Sequence, residues 1–292
     1  MATTRAHSPV SPTTVLRRNG LRPRKSLGQT FLVNPGALRR IAAAAHLTRE
    51  DVVIEVGPGT GALTRELLAR ASSVIAVEKD EALASALEKD FVAEPRLSIV
   101  RADALEVDPS VLLAQIGRRG EANYKVVANL PYYVATPILR RFLEASIRPS
   151  LLVVLLQREV AQSICARPGE MSLLSVAVQI YAEPRMIGVV KAGSFYPPPK
   201  VDSAIVRLDV RTEPVGVSRD ETGAFFEVVK AGFSAPRKQL ANPLAHGLGL
   251  SRERTLELLQ EAGVDPKRRA ETLSLEEWAR VHKAATASRR DA

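Results

Sequence analysis

Val52-Val53-Ile54-Glu55-Val56-Gly57-Pro58-Gly59-Thr60-Gly61 decides how this chain is read. Four of the five residues before the first glycine are Val or Ile, with no polar face of their own, which is the pattern of a strand buried on both sides of a parallel sheet. Three glycines then let the backbone turn sharply and approach a ligand closely before a helix begins. On its own the loop is ambiguous. As Gly57-x-Gly59-x-x-Ala62 it satisfies the dinucleotide fingerprint, with Glu78 standing 21 residues after Gly57, where an acid would hold a ribose. It also suits any other nucleoside cofactor, since a carboxylate accepts hydrogen bonds from both ribose hydroxyls.

Outward from this loop the alternation repeats. Residues 52–56, 73–77, 97–100, 125–128 and 151–155 read as five buried strands, each followed by a helical candidate, so the fold class is α/β with a mostly parallel sheet. Two later runs, 185–190 and 203–210, bracket the proline turn Pro197-Pro198-Pro199 and suggest an antiparallel hairpin closing one edge of a seven-stranded sheet. The strand signal then stops. Residues 211–218, with Pro214 and Gly216, read as a linker into helices over 222–233, 236–247, 252–262 and 275–285. Ser251 caps the third with Gly263 past its end, and Ser274 with Glu277 makes a capping box for the fourth. The expected division is a disordered basic extension over 1–20, an α/β domain over 21–212, a small all-helical domain over 213–287, and a tail over 288–292.

The chain has 292 residues, 46% hydrophobic and 25% charged, which excludes a mostly disordered or collagen-like protein. The longest apolar runs, such as 151–156, fall far short of the roughly 20 residues that cross a bilayer, so no membrane partner is expected. One cysteine, Cys165, allows no intrachain disulfide and fits a reducing cytoplasm. His46, His246 and His282 lack ligand spacing, and no metal site is indicated. Charge says more. Of a net +9, residues 1–50 carry +8, from nine Lys/Arg against Glu50 alone, which points to a polyanionic partner.

At the carboxyl ends of successive strands, where open α/β sheets bind ligands, stand Glu78, Asp103 and Asn129. Together they match the ribose, adenine and methionine portions of S-adenosylmethionine laid across the sheet. Asn129 opens Asn129-Leu130-Pro131-Tyr132, an amide, a rigid turn and an aromatic ring. An exocyclic adenine amine is a poor nucleophile, and a site that activates it must accept its hydrogens. The Asn129 oxygen and a carbonyl at Leu130 or Pro131 can do so, while Tyr132 can stack on the base.

These segments resemble the KsgA (RsmA) family of small-subunit ribosomal RNA adenine dimethyltransferases. The resemblance runs from Arg22 to about Val281. It includes Lys25-Ser26-Leu27-Gly28-Gln29-Thr30-Phe31-Leu32, the Glu55 to Gly61 loop, Val77-Glu78-Lys79-Asp80, Asp103-Ala104-Leu105, Asn129 to Tyr133, Ser194 to Ser203, and Ala231 to Lys238. It implies a Rossmann-like methyltransferase domain with a helical RNA-binding C-terminal domain, S-adenosyl-L-methionine as cofactor, and transfer to two adjacent adenosines near the 3′ end of 16S rRNA in the 30S subunit or its precursor. It also suggests a monomer. Cofactor contacts carry over to Gln29, Thr30, Leu32, Gly57, Gly59, Gly61, Glu78, Asp103 and Asn129. Thr30 departs from the family's usual Asn. The catalytic set is Asn129, Leu130, Pro131, Tyr132 and Phe195, the last matching a second aromatic near the target base. Tyr133 and Tyr196 are read as packing residues. Arg22, Arg24, Lys25, Arg140, Arg141, Arg237 and Lys238 are the expected phosphate contacts. A 23S rRNA methyltransferase of the macrolide-resistance type, a non-catalytic small-subunit assembly factor and a nicotinamide-dependent oxidoreductase are the alternatives.

Overall fold

The computed structural model describes residues 11–118 and 123–290. Packing divides the chain into two compact units, residues 1–161 with 185–210, and residues 162–184 with 211–292.

The first unit is built on a seven-stranded sheet: β1 (Val52–Val56), β2 (Ser73–Glu78), β3 (Leu97–Arg101), β4 (Tyr124–Asn129), β5 (Leu151–Gln157), β6 (Ala182–Val190) and β7 (Ser203–Val210). Their spatial order is β3-β2-β1-β4-β5-β7-β6. The first five run parallel, and β7 lies antiparallel to β5, with Leu151 opposite Asp209 and Gln157 opposite Ser203. The two late strands therefore do close one edge, as expected, with the last strand of the chain placed inside and β6 outermost. The central strands β1, β4 and β5 are buried almost throughout. Helices follow β1 to β4 at Ala62–Leu68, Glu81–Asp90, Pro109–Gln115 and Ala135–Leu143. Asp80 and Asp108 cap the second and third, each accepting backbone N–H bonds of the first turn. Register fixes where the strands end. Val56 pairs with Val77 on one side and Ala128 on the other, so Gly57, Glu78 and Asn129 leave the sheet at one level.

The N-terminal segment differs from the expected disordered extension. Residues Pro12–Arg18 form a helix. Its Val15 and Leu16 are buried, Leu16 clusters with Phe31, Leu83 and Leu21, and Arg18 pairs with Asp90. The two apolar residues give the basic run one face to bury, a signal its charge obscures. Residues 1–10 lie outside the described residues. A second pairing unforeseen in the sequence is a short antiparallel ribbon, Phe31 opposite Tyr196 and Leu32 opposite Phe195.

The second unit is helical, with Thr222–Phe233, Ala241–Leu248, Arg252–Glu261 and Leu275–Arg290 as its main C-terminal elements. Trp278 and Phe225 are fully buried, and the Phe233 and Trp278 ring centroids lie 5.5 Å apart. Residues 162–184 read in the sequence as part of the sheet domain; they pack here instead. Gly169 and Met171 N–H donate to the Glu271 carbonyl, and the Gln179 amide donates to the carbonyls of Ile164 and Ala166. The expected linker is likewise pinned, Arg211 N–H donating to Tyr181 and Val215 N–H to Ile180. The helix expected from 236 begins at Ala241, because residues 235–239 form a turn and Leu240 N–H is taken by the Arg268 carbonyl at 2.7 Å. The last helix continues to Arg290, so the tail expected from 288 starts no earlier than 291, outside the described residues.

Candidate active site

A cavity of about 290 Å3 opens at the carboxyl edge of the parallel strands, just under the roughly 300–1,000 Å3 typical of small-molecule sites. Three strand ends supply its polar groups: Gly57 to Gly59 after β1, Glu78 and Lys79 at the end of β2, and Asn129 to Pro131 after β4, with Asp103 added from the turn after β3. Gly59 shows why glycine stands in the loop. Its φ is +57°, and a Cβ there would lie 3.0 Å from the Phe31 ring.

The carboxylates are held in place by backbone. Glu78, 7% exposed, accepts from Gly59 N–H at 3.0 Å and from Asp80 N–H at 2.8 Å. Burial pushes its carboxyl up, and those two N–H groups pull it back. Asp103 accepts from Lys79 Nζ at 2.6 Å and from Leu105 N–H at 3.0 Å; the lysine and the backbone donor hold it below its ordinary value. Glu55, 1% exposed, lines the same cavity, and burial raises its carboxyl to about 8. Its Oε2 has no hydrogen-bond partner among the described residues.

At the turn after β4 the Asn129 Nδ2 donates to the Thr30 carbonyl at 3.2 Å. That bond orients the amide and leaves Oδ1 without a partner among the described residues. Of the two carbonyls the sequence offered, Pro131 accepts from Val134 N–H at 3.2 Å, whereas Leu130 has no such partner among the described residues. The Tyr132 hydroxyl bonds Ser203 Oγ at 2.6 Å, and burial pushes its pKa up while the bonds to Ser203 and Thr30 oppose that rise.

Gln29, Thr30, Leu32, Gly57, Gly59, Glu78, Asp103, Asn129, Leu130 and Pro131 are thus brought to one cavity. Three expected residues are not. Gly61 starts the helix Ala62–Leu68 at φ +75°, where a Cβ would meet Phe91 and Leu87 at 2.7 and 2.8 Å, so packing behind the loop requires it. Tyr132 sits behind the turn. Phe195 is 4% exposed and belongs to the core, because alternation along the ribbon turns it inward and Tyr196 outward. Conversely Tyr133, read as packing, is 58% exposed, lines the cavity and lies against Gly28.

Gln29 bridges rather than points inward, its Nε2 donating to Asp80 at 2.8 Å and its Oε1 accepting from Arg24 N–H. The sequence missed Asp80 as the anchor of this segment, although its place before a helix marked it as a cap. Among the expected phosphate contacts, Arg24 pairs with Asp80, Arg140 with Glu144, and Arg141 donates to the Val107 carbonyl. Arg22, Lys25, Arg237 and Lys238 are exposed with no ion pair among the described residues.

Comparison with known proteins agrees with this geometry. Ribosomal RNA small subunit methyltransferase A of Dehalococcoides mccartyi (strain CBDB1) is 49% identical over 263 residues, 89% of this chain and 88% of its own. The protein of that name from Pelotomaculum thermopropionicum is 46% identical over 282 residues, 94% and 95% of the two chains. Among solved structures, 23S rRNA methyltransferase ErmE superposes with a TM-score of 0.69 at 29% identity, over 88% of this chain and 99% of its own. A dimethyladenosine transferase from Plasmodium falciparum gives 0.73 at 25% identity, over 86% and 95%. The family model described as ribosomal RNA adenine dimethylase matches residues 20–287, and the chain belongs to that family.

Proposed function

We propose that this protein transfers methyl groups from S-adenosylmethionine to N6 of two adjacent adenosines near the 3′ end of 16S rRNA, acting in the cytoplasm as a monomer on the 30S subunit or its precursor. The observation that carries this is the turn after β4, where the Asn129 amide is oriented by the Thr30 carbonyl so that Oδ1 and the Leu130 carbonyl remain as acceptors beside the cavity.

The residues fit the cofactor. Glu78 keeps lone pairs beyond those given to Gly59 and Asp80 and can accept from ribose hydroxyls. Asp103, kept ionised by Lys79, can accept from an adenine amine. The orphaned Oε2 of Glu55 is a buried polar atom in want of a donor at the same cavity. When bound, S-adenosylmethionine supplies an electrophilic methyl group on a sulfonium. The chain's own part is then orientation. Asn129 Oδ1 and the Leu130 carbonyl accept the two hydrogens of the target amine and favour a pyramidal nitrogen, while Tyr132, its hydroxyl tied to Ser203, fixes the turn that carries them.

ErmE similarity raises the large subunit as the target. The small subunit is favoured because the relatives at 46–49% identity bear that name. Tritium transfer from labelled S-adenosylmethionine to unmethylated 30S and 50S particles, with the labelled nucleoside identified, separates the two. Dimethyladenosine is expected in 30S alone. Asn129→Ala should lower kcat by about 100- to 1,000-fold, as loss of one oriented polar group does. Label in 50S would reassign the substrate, and 30S binding without transfer would make this an assembly factor.

A further inference from the structure

We propose that a second cavity, formed by the N-terminal helix and Tyr196, binds one unpaired nucleotide of the RNA beside the target adenosine, with its base on the Tyr196 ring and its phosphate between Arg17 and Arg22. This rests on the reading of the protein as an RNA methyltransferase and deepens it.

The cavity has a volume of about 380 Å3, and its walls include Thr13, Thr14, Arg17, Leu21, Arg22 and Tyr196. Two cations, two hydroxyls and an aromatic ring, with no carboxylate among the lining residues, make a chemistry that selects an anion bearing a flat ring. The pairing of neighbouring arginines is selective. Arg18 is taken by Asp90 and Arg24 by Asp80, while Arg17 and Arg22 are exposed with no ion pair among the described residues. The ring is available too: Tyr196 is 45% exposed.

Position favours RNA. Leu16 and Leu21 pack on Phe31, whose strand partner is Tyr196 and whose ring lies against Gly59 of the glycine loop. The preceding residue, Thr30, holds the Asn129 amide through its carbonyl. Thr30 and Phe31, which line the first cavity, therefore also join it to the wall of the second, so one strand can reach both.

The test uses the full chain and a five-nucleotide single-stranded RNA carrying 2-aminopurine next to adenosine. The wild type and Tyr196→Phe should quench its fluorescence, and Tyr196→Ala should not. Tyr196→Ala should also weaken RNA binding by about 5- to 150-fold, the range of base–aromatic stacking, with the effect on KM for 30S exceeding that on kcat. Arg17→Gln combined with Arg22→Gln should reduce the slope of log affinity against log salt by about 0.7, the value for one phosphate of a single strand. Cofactor affinity, followed by calorimetry, should be the same in all of them. Equal binding and quenching by Tyr196→Ala and the wild type would overturn the subsite, as would adenosine monophosphate binding as tightly as the oligonucleotide, which would make it a site for free nucleotide. Absence of label transfer to 30S by the wild type would instead overturn the methyltransferase reading, whatever the oligonucleotide does.

Discussion

Three carboxyl groups reach the cavity at the sheet edge, and each is treated differently by its surroundings. Lys79 and a backbone N–H keep Asp103 low, Glu78 is raised by burial against two N–H donors, and Glu55, with least compensation, rises to about 8. The last has a consequence for stability. An unfolded chain releases this proton near the ordinary 4.5 and the folded chain near 8, so the folded form binds one more proton between those values. The stability this group contributes is full below about pH 4.5, declines as pH rises through the interval, and is gone above 8. The decline is on the order of 5 kcal/mol at most. Guanidinium unfolding at pH 5 and pH 8 should therefore show the wild type losing more stability than Glu55→Gln, whose neutral amide does not titrate. Parallel losses in the two proteins would mean that Glu55 ionises normally in the fold.

Turns and ribbons, more than the strands, set what lines the site. Gly61→Ala places a β-carbon at φ +75° against Phe91 and Leu87, and the left-handed backbone alone costs about 1–2 kcal/mol before the clash is counted. Its urea midpoint should fall while the Glu78–Gly59 bond, and with it cofactor binding in the folded fraction, persists; an unchanged midpoint would mean that the helix Glu81–Asp90 and Phe91 shift freely. The same distinction explains what could be read in advance. Strand runs, the glycine loop and the polar ends Glu78, Asp103 and Asn129 follow from local pattern and parallel register, and the Ser274–Glu277 capping box forms as its spacing predicts. Residues placed by long-range pairing did not follow. Whether Phe195 or Tyr196 faces inward is set by a partner more than 160 positions away, and the side on which Tyr133 emerges is set by a 3-10 turn. Residues 162–184 look like any crossover helix, and it is long-range bonds, from Gly169 and Met171 to Glu271 and from Arg211 and Val215 back to Tyr181 and Ile180, that tie them to the helical unit.

Charge at the scale of the molecule is one-sided along the sequence, since +8 of the net +9 lies in the first 50 residues. Net count is a poor guide to where phosphate can be held, because at least three of these nine cations are already engaged by the fold: Arg18 by Asp90, Arg24 by Asp80, and Arg40 by the Val189 carbonyl. The helical unit contributes almost no excess charge by comparison, yet Arg237 and Lys238 stand exposed in the turn after the helix Thr222–Phe233, with no ion pair among the described residues. Two free cations on a fixed turn attract phosphate more effectively than several that are already paired. The second unit is accordingly expected to hold RNA through that turn. Arg237→Gln combined with Lys238→Gln should raise KM for 30S particles and lower the salt slope by about 1.8, the value for two phosphates of a duplex. Cofactor affinity belongs to the first unit and should not move. An unaltered slope in the double variant would confine the electrostatic contact to the first unit and leave the helical unit without this role.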